Sequence, residues 1–247
     1  MKSIQSFLEQ RIFFLTSSLI KSHQKVLDLL VDRPEHLETF TTYSPAHRFI
    51  EANVGPANLS FLIKEEDGST FSMALGQSPF IYSSDRVATS RGIEMDLQDY
   101  EHRADWDFYS IDTANFRGSS PAQISTGADE IKALLEEHAP NSSVWPGNSE
   151  VIFWGEIREE GKLVATGALV KWRTGEVMFA SIATHLSYRG RGLAQSLVSQ
   201  MLRSALELEI AHVGLGVFAD NSTAKKAYEK VGFKLIGEFS SYQRKSS

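Results

Sequence analysis

The sequence predicts an α/β protein built on a mixed sheet, and three observations predict it. Downstream of residue 118, period-2 and period-3.6 apolar patterns alternate in the order β-β-β-α-β-α-β. A helix sits between the third and fourth of those strands, which implies a parallel pair joined by a right-handed crossover. Upstream, a helical pattern and a hairpin show the same mixture less clearly.

Composition narrows the class. The chain has 247 residues, enough for one large domain or two modest ones. With 42% hydrophobic and 23% charged residues it reads as an ordinary globular protein. A net charge of −6 argues against a general nucleic-acid binder, whose phosphate contacts need a basic surface. Cysteine is absent, which excludes disulfides, thiolate metal sites and cysteine nucleophiles. His36 and His47 have no partners at ligand spacing, so no metal is expected.

Taken in order, Ile4, Leu8, Ile12, Leu15, Leu19, Val26 and Leu30 recur at helical steps and predict one amphipathic helix, ended by Asp32-Arg33-Pro34. Its apolar stretch Ile12 to Leu15 is far shorter than the roughly 20 residues a membrane span needs. The expectation is therefore a cytoplasmic protein with no membrane partner. A short helix follows near Glu35 to Phe40. Leu59 to Lys64 and Thr70 to Leu75 flank the turn Glu65-Glu66-Asp67-Gly68 and read as a hairpin. Ser84 to Tyr100 is polar and ambiguous. Gly118-Ser119-Ser120-Pro121 is the linker candidate, dividing the chain into an accessory α/β domain, 1–118, and a second domain, 119–247.

The second half is clearer. Asp129 to His138 reads as a helix, and Ala139 to Ser149 as a loop. Val151 to Arg158 and Leu163 to Trp172 form a hairpin across Glu159-Glu160-Gly161-Lys162, with Glu176 to Thr184 as the third strand. Gly192 to Leu208 is a helix with Leu193, Leu197, Met201 and Ala205 on one face. His212 to Phe218, Thr223 to Val231 and Phe233 to Tyr242 complete the pattern as strand, helix and strand. The hairpins FLIKEEDGSTFSMALG and FWGEIREEGKLVATGAL echo each other, so the first half is a candidate degenerate copy of the second.

One stretch carries chemistry. In THLSYRGRGLA, Thr184 to Ala194, two arginines and two glycines stand between a strand and a helix start. A helix N-terminus leaves unpaired N–H groups and partial positive charge, which suit phosphate oxygens. Gly190 and Gly192 keep Cβ atoms out of the way, Ala194 keeps the first turn thin, and Arg189 and Arg191 add charge. A glycine-rich turn with solvated arginines is the plainer reading of the same residues.

Arg189-x-x-Gly192-x-Ala194 resembles the pyrophosphate signature of the GNAT superfamily of acyl-CoA-dependent N-acetyltransferases. A second stretch, VFADNSTAKKAYEKVGF, resembles the same superfamily at Asn221, Ala224, Tyr228 and Gly232-Phe233. The resemblance covers roughly Ala122 to Tyr242. THLSYRGRGLA with GVFADN is similar to the branch containing glycine N-acyltransferase-like proteins, although that branch often has proline where Leu186 stands.

The resemblance implies acetyl-CoA as co-substrate, no metal, and a primary amine of a small molecule or amino acid as acceptor. It gives Ile182, Ala183 and Thr184 the acyl-pantetheine arm. Arg189, Gly190, Arg191, Gly192, Leu193 and Ala194 take the pyrophosphate, and Asn221 the pantetheine side. It places Tyr228 beside the thioester sulfur as the acid that protonates the departing thiolate. Core packing is the alternative for Tyr228, which shares a helix face with Ala224, Ala227 and Val231. Some histone-modifying members carry a glutamate base where Met178 stands; Glu176, His185 and His212 are the remaining candidates. Trp145, Trp154 and Trp172 are candidates for a groove wall or for the core. The alternative function is a non-catalytic acyl-CoA sensor. The sequence leaves both a monomer and a homodimer open.

Overall fold

The computed structural model describes residues 19–77, 79–93, 96–118, 120–172 and 174–245. The chain divides into two compact units: the described residues of Met1–Trp106 and Gly237–Ser247, and Asp107–Ile236. The division expected after residue 118 falls inside the second unit. Two strands, β6 (Tyr100–Asp112) and β12 (Lys234–Arg244), run from one unit into the other.

In the first unit the strands are β1 (Leu19–Ile20), β2 (Phe49–Val54), β3 (Asn58–Lys64), β4 (Thr70–Gly76) and β5 (Arg86–Ser90), lying in that order with β12 beyond β5. Pairing is antiparallel from β1 to β4, parallel for β4 with β5, and antiparallel for β5 with β12. The expected hairpin is present, with its register running from Asn58–Gly76 to Lys64–Thr70.

The expected long first helix is not formed as such. Residues 4–18 lie outside the described residues, and Leu19 belongs to a strand. The helix α1 (His23–Leu30) begins only after Ser22, whose hydroxyl caps the Lys25 amide. Pro34 then opens α2 (Pro34–Tyr43), its fixed φ suiting a first helical position. Val26, Leu30, Phe40, Leu59, Phe61 and Met73 form the buried interior of this unit.

The second unit repeats the strand pattern. It comprises β7 (Gln123–Ile124), α3 (Ala128–His138), β8 (Val151–Glu159), β9 (Lys162–Lys171), β10 (Val177–Thr184), α4 (Leu193–Glu207), β11 (His212–Phe218) and α5 (Ser222–Val231). The order is β7-β8-β9-β10-β11 with β6 beyond β11. Pairing is antiparallel from β7 to β10 and parallel for β10 with β11. This mixed α/β arrangement is the fold class expected.

Both units therefore place four antiparallel strands before a parallel fifth. They differ in the link to that fifth strand. In the second unit α4 fills it, whereas in the first it is the short segment 77–85.

Leu197, Val198, Met201, Leu202 and Ala205 of α4 pack on Phe153, Leu169, Phe179 and Leu215 of the sheet. Gly155 permits that approach: a Cβ there would lie 2.9 Å from Met201 Cγ and 3.3 Å from Leu197 Cδ1. Gly155→Val should overpack this seam and lower unfolding stability by about 1–3 kcal/mol, read from a denaturant midpoint. An unchanged midpoint would mean that the seam yields without strain.

Candidate active site

The site begins where two parallel strands stop pairing. Met178 registers with Gly214 and Phe179 with Leu215; the β10–β11 ladder goes no further among the described residues. A β-bulge interrupts β10 between Ala180 and Ala183, and Ser181 within it has φ 51°. Pairing with β9 resumes at Ala183–Thr166 and Thr184–Ala165. The β11-facing edge of Ile182, Ala183 and Thr184 thus carries backbone groups that no strand takes up. Ile182 turns its side chain to the core, and Ala183 is buried.

Beyond Thr184 the chain makes a 3₁₀ turn, Leu186–Tyr188, and then the glycine-arginine turn. Gly190 has φ 76° and Gly192 φ 77°, a left-handed conformation that glycine adopts without penalty. A Cβ on either would meet no protein atom within 4 Å, so both face open space. Gly192 is the N-cap of α4 and supplies no side-chain cap. The first amides of a 15-residue helix, starting at Leu193 and Ala194, are left to an outside acceptor.

The arginines are less available than their sequence suggests. Arg189 donates from Nε to the Thr184 carbonyl (3.1 Å) and from Nη2 to the His138 carbonyl (2.9 Å). Arg191 pairs with Glu159 at 2.9 Å and lies 5.3 Å from the Tyr188 ring centre. At the turn the uncommitted donors are therefore the backbone amides at the start of α4, while both guanidiniums are already engaged. Lys162, which the sequence did not single out, stands close by: its Nζ is 2.9 Å from His185 Nε2 and 5.8 Å from the Tyr188 ring centre. Only the β8–β9 hairpin brings it there, so spacing carried no signal.

His185 is not poised as a free base. Its Nδ1 accepts from the Ser187 amide at 3.2 Å, and Nε2 meets Lys162. Burial, then the charges of Lys162 and His138, push its pKa below the ordinary histidine value. Met178 is buried beside Gly214, so no carboxylate occupies that position. Glu176 precedes β10, its backbone bonded to Trp172 and to Thr174 Oγ1. His212 opens β11, at the opposite end of the parallel pair from the glycine-arginine turn.

Asn221 caps α5: its Oδ1 accepts from the Ala224 amide at 3.1 Å. That cap, the Lys225–Asp107 ion pair at 2.8 Å and the Tyr109 hydroxyl on Glu229 (3.0 Å) brace the helix that carries Tyr228. Tyr228 is 6% exposed and packs with Ala224, Val231 and Phe233. Its hydroxyl bonds to no described residue. It is also not one of the buried polar atoms left without a partner, so it reaches accessible surface. Burial pushes its pKa up, which keeps it protonated across the physiological range.

Trp154 belongs to the buried interior. Trp145 is half-buried in the segment between α3 and β8, with Nε1 on the Ser142 carbonyl. Ser181 was missed by sequence reasoning, because a serine inside a strand gives no hint of a bulge. Among the described residues no group of three or more histidines and carboxylates could hold a metal ion, and no helix is long and apolar enough to cross a membrane.

Residues 120–233 match the family model described as acetyltransferase (GNAT) family. A curated relative from Bacillus subtilis (strain 168), the uncharacterized N-acetyltransferase YycN, is 40% identical over 47 residues. That match spans 19% of this chain and 30% of the relative's length. The fold is similar to a GCN5-related N-acetyltransferase from Kribbella flavida (TM-score 0.53, 14% identity, 87% of this chain and 95% of that one). It is also similar to one from Sphaerobacter thermophilus (TM-score 0.52, 12% identity, 87% and 86%). At such identities these two likenesses concern the fold alone. The match to the acetyltransferase (GNAT) family model covers the parted strands, the left-handed glycine turn and Tyr228, so residues 120–233 are what carries the likeness to that family.

Proposed function

We propose that the protein transfers an acetyl group from acetyl-CoA to a primary amine of a small molecule or amino acid. One observation carries the reading: β10 parts from β11 at its bulge and leads straight into an uncapped helix N-terminus through two left-handed glycines. An elongated cofactor with a pyrophosphate at one end and an amide-bearing arm at the other fits such a slot. Pyrophosphate oxygens would take the amides that open α4, with Arg189 and Arg191 framing the turn. The arm would lie along the open edge of Ile182, Ala183 and Thr184, with Asn221 on its other flank.

The acceptor amine must be neutral to attack, and an alkylammonium has a pKa of about 10. Its nitrogen then bonds to the thioester carbonyl carbon, the carbon–sulfur bond breaks, and the thiolate leaves. The nitrogen gives up one proton to water, from which Tyr228 is later reprotonated. The Tyr228 hydroxyl, protonated and open to surface, donates its hydrogen to that sulfur. No residue is assigned as the base.

Among the described residues of the first unit, the parallel pair β4 and β5 does not part as β10 and β11 do. Its ladder holds over four pairs, from Phe71–Arg86 to Ala74–Thr89, and Asp85 Oδ2 closes it by accepting from both the Thr70 amide and hydroxyl at 2.7 Å. We read the first unit as a degenerate copy serving as an accessory domain, in a protein of the cytoplasm. Titration calorimetry should accordingly give one acetyl-CoA per chain; two would overturn that reading.

The deciding experiment follows free thiol released from acetyl-CoA over a panel of amines. Amino acids head the panel because the turn resembles the glycine N-acyltransferase-like branch. Acceptor-dependent release supports transfer. Binding without release by any amine would favour an acyl-CoA sensor instead.

A further inference from the structure

Three described non-glycine residues have a left-handed backbone: Glu160, Ser181 and Glu209. Glu160 lies in the β8–β9 turn and Glu209 in the turn after α4, where such conformations are ordinary. Ser181 lies inside a strand, at the bulge where β10 leaves β11. A left-handed side chain costs about 1–2 kcal/mol, and it persists only where the surroundings hold it.

What holds it is a two-way bond. Ser181 Oγ accepts from the Val144 amide at 3.0 Å and donates to the Val144 carbonyl at 2.7 Å. One hydroxyl thereby does what a neighbouring strand's backbone would do, and Val144 is buried against it. Val144 sits midway along segment 139–150, which otherwise bonds mainly to itself. Ser142 bonds from both its amide and hydroxyl to the Ala139 carbonyl, Trp145 Nε1 donates to the Ser142 carbonyl, and the Asn148 amide to that of Trp145. At its ends the segment is tied by Arg189 to His138 and by the Lys171 amide to Glu150. Ser181 is the tie at its middle.

We propose that Ser181 is a positioning residue. Its hydroxyl clasps Val144 so that segment 139–150, with Trp145 next in sequence, forms a fixed wall on the acceptor side of the slot. The inference rests on the acetyl-transfer reading, because it takes the bulge as the place where the thioester and amine meet. On the β10 side the clasp uses only the Ser181 hydroxyl and no backbone atom, which leaves the glycine-arginine turn and the open edge of β10 untouched. Losing it should therefore weaken the grip on the acceptor and spare the grip on acetyl-CoA.

The test compares wild type, Ser181→Ala and Ser181→Gly under saturating acetyl-CoA, with the best amine from the panel. Alanine keeps the backbone strain and removes the hydroxyl; glycine removes both. Acceptor KM should rise about tenfold in each, as expected for roughly two lost hydrogen bonds, while the KM for acetyl-CoA stays within about twofold of wild type. Hydrogen exchange of the peptide spanning 139–150 should accelerate in both variants, with α4 amides unchanged.

A wild-type acceptor KM in a folded Ser181→Ala, or equal exchange of 139–150 in all three proteins, overturns the proposal. So does a parallel rise in both KM values, which would mean that the bulge serves the cofactor. Loss confined to alanine, with glycine like wild type, would show that strain and not the clasp matters. If the wild type shows neither turnover nor stabilisation by acetyl-CoA, the transfer reading falls, and the acceptor role of Ser181 falls with it.

Discussion

Acetyl-CoA is expected to lose most of its stabilising effect on a Gly192→Val variant. At a ligand concentration of 100 Kd, binding to the folded state alone stabilises it by about 2.7 kcal/mol, read as a rise in melting temperature. Gly192 has φ 77°, and a Cβ built on it points into space holding no protein atom within 4 Å. Valine there costs the folded protein about 1–2 kcal/mol of backbone strain and meets no neighbour. Its branched side chain would occupy the volume through which an anion reaches the first amides of α4. The strain needs its own control. Gly68, in the β3–β4 turn, has φ 87° and equally open space, so Gly68→Val should lower the melting temperature comparably and leave the acetyl-CoA shift intact. Full ligand stabilisation of a folded Gly192→Val would remove the turn from the cofactor site. Arg189→Ala should act more weakly, since that guanidinium is already bonded to the carbonyls of Thr184 and His138. Part of its loss would be felt as a looser end of α3.

The glycine turn was legible because the function proposed for it and its local geometry ask for the same residues. Left-handed φ angles and an unblocked helix end both select glycine, so Gly190 and Gly192 stand out without any tertiary knowledge. The amphipathic face of α4 was legible for a similar reason: Leu193, Leu197, Met201 and Ala205 all meet the core. β11 matches its expected bounds, and β8, β9 and β10 begin and end within a residue or so of theirs.

The first unit hid more. β6 opens with Tyr100-Glu101-His102-Arg103, largely exposed and polar, and only its later residues are buried, so no period-2 pattern spans it. β5 is short; in the second unit β7, two exposed residues, was equally silent. That Gly237 onward belongs with the first unit follows from the pairing of β12 with β5, Phe239 opposite Ser90, a partnership across the length of the chain that local patterns do not encode. The same limit concealed the partners of the site. Arg189 finds His138, Lys162 finds His185, and Ser181 finds Val144 only once the strands are in place.

Tyr228→Phe should separate chemistry from packing. The ring belongs to the second unit's interior, between Ala224, Val231 and Phe233, so a residue with no ring would disturb α5 whatever its catalytic part. Phenylalanine keeps the ring and removes only the hydroxyl, which bonds to no described residue and is therefore dispensable to the fold. Stability and acetyl-CoA affinity should stay near wild type. Turnover should fall roughly 10²- to 10⁴-fold if the hydroxyl protonates the leaving thiolate. The raised pKa of Tyr228 bears on how it does so. A thiol has a pKa of about 8.5, well below that of a buried phenol, so transfer to sulfur is uphill even once the thiolate has formed. The hydroxyl therefore helps chiefly as a hydrogen-bond donor to the charge gathering on sulfur, and a net proton delivery requires the phenolate to be reprotonated as it forms. An acyl donor with a more acidic thiol needs less of that help and should recover part of the lost rate in Tyr228→Phe while changing the wild type less. Unimpaired turnover in the variant would leave Tyr228 as a core residue. A deep loss that no better leaving group relieves would instead mean that the hydroxyl orients the thioester rather than protonating it.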